Sequence, residues 1–451
     1  MISLEVFLQN TLASLQQTIV PELHSPKAKA AAASMERILA RMIMYAPDSK
    51  DSAVDTPAVW FAKDPALREF HASGQTLGHN ARVSPELADL YHREWQALAS
   101  IEDQLTSLMA DLQHAAPDPG AATPSQDIAP KLELYLRKKY AAPDARVTDF
   151  HIVVGGRSKQ TAFFTVEGLK EMTGTFVLRS DLQVNLSGGK SIAYEYPLQT
   201  VLAEYGLKVP RPRLLEMDVQ HIGQPFMVVE KLEGSMAGQY FYPPQSQRLI
   251  ASYAAELARL HAVPLSSISG LEMEHKPLPR EALAAEINEL RRVCIASGNS
   301  LSLILETAYA WLLEHIDIAY RDTPCIAHRD ALFHNVLADG DNLTAILDWE
   351  LARVSYAAED LGYIRSTVPL SMPWDDFMQY YEKAAGRKMD QAQVDYYAIL
   401  SVARNCSMAS NIKRLIAEKH TRDIELTSVT LHDFYRMQYQ LGEHLNRVMG
   451  R

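Results

Sequence analysis

Residues 325–350, CIAHRDALFHNVLADGDNLTAILDWE, bring together the side chains best able to do chemistry: His328, Asp330, Asn335 and Asp348. Two apolar, strand-like segments, NVLAD and LTAIL, lie between the last two. If they form a hairpin, Asn335 and Asp348 converge at one end, where an amide oxygen and a carboxylate suit Mg²⁺. Asp330 precedes Asn335 by five residues and would stand beside the metal, placed to accept a hydroxyl proton. Phosphotransferases require this spacing between their catalytic loop and metal-binding Asp. The competing reading puts Asp and Asn in ordinary turns with His328 as a cap. The Asp-Trp that follows at a strand-length gap weakens it, and so do further motifs in the right order.

Those motifs lie upstream. VVGGRSKQTAFFTV (153–166) reads as strand, small-residue turn, strand, and the backbone around Gly155, Gly156 and Ser158 could close over phosphates, although Gly-Gly also marks an ordinary hairpin turn. FVLRS places Arg179 on the next strand, and Glu195 follows sixteen residues later at the head of a helix. Such a cation and acid can pair and hold the α- and β-phosphates. GGKS at 188–191 imitates the end of a Walker loop, but the Gly that G-x-x-x-x-G-K-S needs at position 184 is Val184, and no strand-to-helix junction surrounds it. It reads as a mobile polar turn.

The elements that must position these residues follow from periodicity. Leu4, Leu8, Leu12, Leu15 and Ile19, and again Leu87 to Leu112, recur at helical spacing, so residues 1–115 read as an all-helical domain. HAAPDPGAATPSQDIAP (114–130) lacks periodicity and reads as a linker, with the boundary at 116–128. After one amphipathic helix (131–140) the period changes to strands, FHIVV, TAFFTVEG and GTFVLRS, then a helix around LQTVLAEYG, then RLLEMDV and QPFMVVEKL. From Ser246 onward helical spacing dominates. The expectation is α+β: an antiparallel β-rich half at 129–232 and a mostly helical half at 233–451.

The order GGRSKQTAFF, FVLR, YEYPLQTVL, VPRPR, PFMVVEKLEG, AHRDALFHN, ILDWE and EDLGY resembles the aminoglycoside phosphotransferase (APH) family of small-molecule kinases over about residues 128–451. The resemblance implies a two-lobed protein-kinase-like fold, with ATP and Mg²⁺ as cofactors. It makes Asp330 the catalytic base, with His328 supporting the catalytic loop and Asn335 and Asp348 holding Mg²⁺. Arg179 falls on the position that binds nucleotide phosphates and Glu195 on its partner. Val229, Glu230, Lys231 and Leu232 fall on the hinge that takes adenine through backbone hydrogen bonds, and Asp360 on a structural acid. Arg179 stands where Lys is usual, as in the branch resembling kinase-like domains fused to some acyl-CoA dehydrogenases, and keeps a charge able to grip phosphate bidentately. Pro197 is tolerable only in a first helical turn, which puts Glu195 at the helix start. Only about a dozen residues separate Asp348 from Asp360, too few for the phosphorylated activation loop of a protein kinase.

Composition limits the partners. The 451-residue chain carries 44 basic and 55 acidic side chains, a net charge of −11, with no long basic run, so nucleic acid and anionic membranes are not expected. Three widely spaced cysteines argue against disulfides and zinc and favour a reducing cytoplasmic setting, and the first residues lack a basic, signal-like start. The expected partner is a small-molecule hydroxyl acceptor, either a hydroxyacyl or aromatic metabolite or an antibiotic. A catalytically silent nucleotide-binding module is the remaining alternative. The N-terminal domain carries no catalytic group and reads as a dimerisation or lid module, with a homodimer formed through it.

Overall fold

The computed structural model describes residues 128–153, 159–181, 189–297, 302–417 and 433–450, together with 12, 15, 29, 32, 35, 39, 92–96, 98 and 99. The chain divides into two compact units: residues 1–121, 279–318 and 399–451 form one, and residues 122–278 and 319–398 the other.

The second unit has the expected kinase-like plan. Helix α1 (Ile128–Lys139) leads into strands β1 (Arg146–Val153), β2 (Lys159–Glu167) and β3 (Gly174–Asp181). Helix α2 (Ile192–Glu204), β4 (Pro212–Glu216) and β5 (Phe226–Glu230) complete the first lobe. The strands form an antiparallel sheet in the order β1-β2-β3-β5-β4. Because successive side chains on a strand face opposite ways, the sheet has two unlike faces. Phe164, Phe176, Leu178, Phe226 and Val228 pack with Leu132, Tyr135 and Leu136 of α1, whereas Val177, Met227 and Val229 pack with Ile192 of α2. Arg179, two residues after Val177, therefore shares the α2 face. The register pairs Thr161 with Arg179 and Lys159 with Asp181, which puts these residues on that face too.

Helix α2 starts earlier than expected. Ser191 is extended at its N-cap, Tyr194 and Glu195 donate their N–H groups to the Ser191 carbonyl, and the Asp181 carboxylate accepts the Ile192 N–H at 3.1 Å. Glu195 lies in the first turn, but Pro197 is inside the helix rather than confined to that turn. The cap supplied by Asp181, eleven residues away in sequence, is the contact that spacing alone could not reveal.

The second lobe is mostly helical. After the short β6 (Ser235–Met236), α3 (Gln247–His261) packs against α7 (Trp374–Ala385). Strand β7 (Cys325–Ala327) pairs antiparallel with β10 (Arg353–Ser355), and β8 (Val336–Asp339) forms a hairpin with β9 (Asn342–Ile346). Helix α6 (Ala357–Ile364) is buried along its whole length.

The first unit contains α4 (Arg280–Ala296), α5 (Leu303–Glu314), residues 399–417 of α8 (Gln391–Ala417) and α9 (Phe434–Met449). Glu94, fully buried, accepts the Ile304 N–H at 2.9 Å at the start of α5, where a carboxylate meets the positive end of the helix. Gly442 on α9 makes room for Trp95, since a Cβ there would lie 2.1 Å from the indole ring. All three cysteines are buried and unpaired as disulfides. Among the described residues no helix is long and apolar enough to cross a membrane.

Candidate active site

The β8–β9 hairpin does what the two apolar runs led one to expect. Val336 faces Ile346, and the Leu347 N–H donates to the Asn335 carbonyl at 2.8 Å, which sets Asn335 beside the residue that leads into Asp348. Asn335 is turned toward the loop that carries Asp330: its Nδ2 donates to Asp330 Oδ2 at 2.9 Å and to the Asp330 carbonyl at 3.0 Å. That fork restrains both backbone and carboxylate of Asp330, and His334 Nε2 stands 3.8 Å from the same Oδ2.

His328 is fully buried. Its Nε2 donates to the Leu347 carbonyl at 2.8 Å, and its Nδ1 accepts the Asp330 N–H at 3.2 Å. A carbonyl can only accept and an amide N–H only donate, so these partners select the neutral Nε2–H tautomer. His328 thus ties the loop before Asp330 to the segment before Asp348. Tyr253 of α3 donates to the Ala331 carbonyl at 2.7 Å and supports the loop from below. Asp360, also fully buried, accepts the N–H groups of His328 and Arg329 at 2.8 and 2.6 Å and His261 Nε2 at 3.0 Å.

Arg179 meets its expected partner, Glu195, and also Asp348, which the sequence did not place beside it. It pairs with Glu195 through Nη1, and its Nη2 lies 2.9 Å from Asp348 Oδ1. Glu195 Oε1 also accepts the Trp349 N–H at 3.3 Å, while its Oε2 is buried with no hydrogen-bond partner. Burial pushes the Glu195 carboxyl up against the pull of Arg179. Burial acts in the same direction on Asp348, but the Arg179 guanidinium, with Lys159 beyond it, outweighs it and holds Asp348 below the usual carboxylate range. Asp348 has φ +65°, the left-handed region in which Asp is among the better-tolerated residues.

One part of this cluster was not read from the sequence. Lys159, 3% exposed on β2, reaches Glu350 at 2.9 Å, Asp181 at 3.1 Å and the Lys190 carbonyl at 2.7 Å. Burial works against its ammonium, and Glu350, Glu195 and Asp181 together outweigh that effect and raise its pKa. The signal was the opposite-charge pair Lys159 and Asp181, which means nothing until the β2–β3 register is known. The turn around GGKS is drawn into the same cluster: the Lys190 N–H donates to the Glu350 carbonyl at 3.0 Å, and a Cβ at Gly189 would lie 2.2 Å from the Glu350 carboxyl carbon. Gly189→Ala is therefore expected to push Glu350 off the buried Lys159. The expected loss is about 1–3 kcal/mol, read as a lower melting temperature.

Two other groups complete the picture. Glu230 closes β5, donating its N–H to the Arg211 carbonyl at 3.0 Å, and the Lys231 N–H lies 3.4 Å from the Thr175 carbonyl. Leu232 follows in the connection to β6 and is partly buried. Gly155, Gly156 and Ser158 lie outside the described residues.

The donors present fit Mg²⁺. Asn335 and Asp348 would offer hard oxygens, and Glu195, which shares Arg179 with Asp348, has one buried oxygen without a hydrogen-bond partner. Among the described residues no three His, Cys, Asp or Glu side chains gather to cage a metal on their own. Mg²⁺ is usually bound by one or two carboxylates plus substrate phosphates.

The model of the phosphotransferase enzyme family, APH, matches residues 150–400, more than half of the chain. The chain belongs to that family. Membership places it among the phosphotransferases. This APH-family chain is 23% identical over 240 residues to acyl-CoA dehydrogenase family member 11 of Pongo abelii, a match that covers 51% of this chain and 30% of that protein. The Mus musculus counterpart is 23% identical over 216 residues, covering 46% and 27%. The chain thus spans less than a third of the length of these curated relatives. A crystal structure of a Ralstonia eutropha jmp134 protein assigned as an aminoglycoside phosphotransferase superposes with a TM-score of 0.58 at 18% identity, covering 70% of this chain and 98% of that one. At that identity the likeness is one of fold.

Proposed function

We propose that the protein is an ATP- and Mg²⁺-dependent small-molecule kinase that transfers the γ-phosphoryl group to a hydroxyl of a small metabolite, of hydroxyacyl or aromatic type. The observation that carries this reading is the convergence of two restrained clusters: Asp330 forked by Asn335, and Arg179 shared between Glu195 and Asp348. Asp330 takes the proton as the acceptor oxygen bonds to phosphorus and the bond to the bridging oxygen breaks, with His328 and Asn335 keeping the carboxylate in place. Bound at Asn335 and Asp348, Mg²⁺ would neutralise phosphate charge. Arg179, fixed by Glu195, grips the phosphates, Gly155, Gly156 and Ser158 close over them, and the backbone of Glu230 and Leu232 receives the adenine.

The domain reading is retained as part of this proposal: helical residues 1–115, linker 116–128, N-lobe 129–232 and C-lobe 233–451 in the cytoplasm, with a homodimer through the N-terminal domain. Residues 279–318 and 399–451 gather with 1–121 in one unit, which supports a scaffolding rather than a chemical role for that domain. The fold neighbour's assignment keeps an antibiotic acceptor as the second reading.

A library of hydroxyl compounds, including aminoglycosides, screened for acceptor-dependent ADP release tests the proposal. Release with a hydroxyacyl or aromatic compound supports it, and release with an aminoglycoside alone moves the chain to the second reading. ATP binding with no turnover on any hydroxyl favours a silent nucleotide-binding module. Arg179→Ala is expected to weaken ATP binding about ten- to a hundredfold by calorimetry, the equivalent of one charge-assisted contact. It should also lower thermal stability, because Glu195 is left buried without its cation.

A further inference from the structure

The residue before Asp330 sits in an unfavourable backbone state. Arg329 has φ +67°, where residues other than glycine are disfavoured by roughly tenfold. Two adjacent carboxylates in the first turn of α6 hold it there: Asp360 accepts the Arg329 N–H at 2.6 Å, and Glu359 Oε1 accepts Arg329 Nε at 2.7 Å. Main chain and side chain of one residue are thus gripped by neighbours in sequence.

We propose that Glu359 is a positioning residue for Asp330, holding the Arg329 side chain so that residue 329 keeps the left-handed backbone that aims the Asp330 carboxylate. This rests on the reading of Asp330 as the base. Glu359 is 1% exposed and also receives the Ser355 hydroxyl and, at 3.4 Å, Arg353 Nη2. Arg353 and Ser355 belong to β10, which pairs with β7, and Arg353 stands opposite Ala327, the residue before His328. The carboxylate therefore braces the loop from the strand beside it and from the loop's own arginine. A carboxylate kept only to satisfy its own turn would need Ser355 and Arg353; the bond to Arg329, thirty residues away in sequence, is the one that reaches the reacting group. With that bond weakened, the Asp360 contact would still hold the N–H of residue 329, but its backbone would be freer to relax toward ordinary φ and turn the next side chain away from Asn335.

Glycine takes positive φ without help, and this supplies the test. Glu359→Gln, Arg329→Gly and the double variant are compared with the parent by peptide-level hydrogen exchange over residues 325–336, and by slow hydrolysis of Mg·ATP with water as the acceptor. Glu359→Gln, which leaves Arg329 a neutral acceptor in place of a charge-assisted one, is expected to speed exchange of the 328–330 amides about tenfold and to lower the hydrolysis kcat with little change in the KM for Mg·ATP. Adding Glu359→Gln to Arg329→Gly should change either readout by less than about twofold, which a purely structural carboxylate would not do. An equal effect of Glu359→Gln in both backgrounds, or exchange within twofold of the parent, would overturn the proposal. If Glu359→Gln does not fold, Arg329→Gln, which leaves Glu359 on Ser355 and Arg353, carries the same expectation. Exchange needs no substrate, so a parent that hydrolyses no ATP counts against the kinase reading while the exchange result still decides the role of Glu359.

Discussion

Asp330→Asn is expected to lower acceptor-dependent phosphoryl transfer by about 10²–10⁴, the usual worth of general-base assistance, and to leave Mg·ATP binding intact. The exchange preserves size. It replaces a carboxylate that receives the Asn335 Nδ2 at 2.9 Å with an amide that can still present an oxygen there, so the loop should keep its shape. What goes is the negative charge that, in the proposed mechanism, accepts or orients the hydroxyl proton. Some rate should remain, because much of phosphoryl-transfer catalysis is orientation and charge neutralisation supplied by the rest of the cleft. Single-turnover measurement with an identified acceptor checks the size of the loss. Full turnover in the variant would remove Asp330 from the chemistry.

The groups legible in the sequence are those whose meaning is local. Asn335 and Asp348 could be placed together because two apolar runs flank the short polar turn at Gly340–Asp341, about which the strands pair antiparallel. Arg179 and Glu195 were legible because a cation on a strand and an acid at a helix head, at the right separation, leave few alternatives. Lys159 was not, since its partners Asp181, Glu350 and the Lys190 carbonyl come from three different segments. Glu359 was hidden by its neighbour: in EDLGY the eye goes to Asp360, and nothing in a string of letters says that Arg329 has a positive φ needing a second carboxylate. Nor did reading GGKS as a polar turn show what Gly189 touches. Gly189 is a close approach, pressed against Glu350. Tertiary partners, rather than local propensity, decided each of these.

Substitution of Asp348 should damage a different step and so separate metal binding from proton transfer. The Asp348 carboxylate is held at 2.9 Å by Arg179 and kept ionised by it, a state suited to a hard cation. Asp348→Ala removes that charge, and it also places alanine at φ +65°, which alanine tolerates less well than Asp or Asn. The backbone effect and the loss of charge would then be mixed. Asp348→Asn is the cleaner change: Asn accepts the left-handed conformation and offers an amide oxygen, but carries no charge. Arg179 retains Glu195 in either variant, so the nucleotide's phosphates still meet a fixed cation. In calorimetry with and without Mg²⁺, both variants are expected to lose the gain in ATP affinity that Mg²⁺ gives the parent. That loss should amount to about ten- to a hundredfold, on the scale of one charge-assisted contact, and Asp348→Asn should show the smaller fall in thermal stability. Asp330→Asn, measured the same way, should keep its Mg²⁺ dependence. If the two substitutions instead produced the same profile, Asp330 and Asp348 would be acting as one ligand set, and the division into base and metal ligand would have to be abandoned.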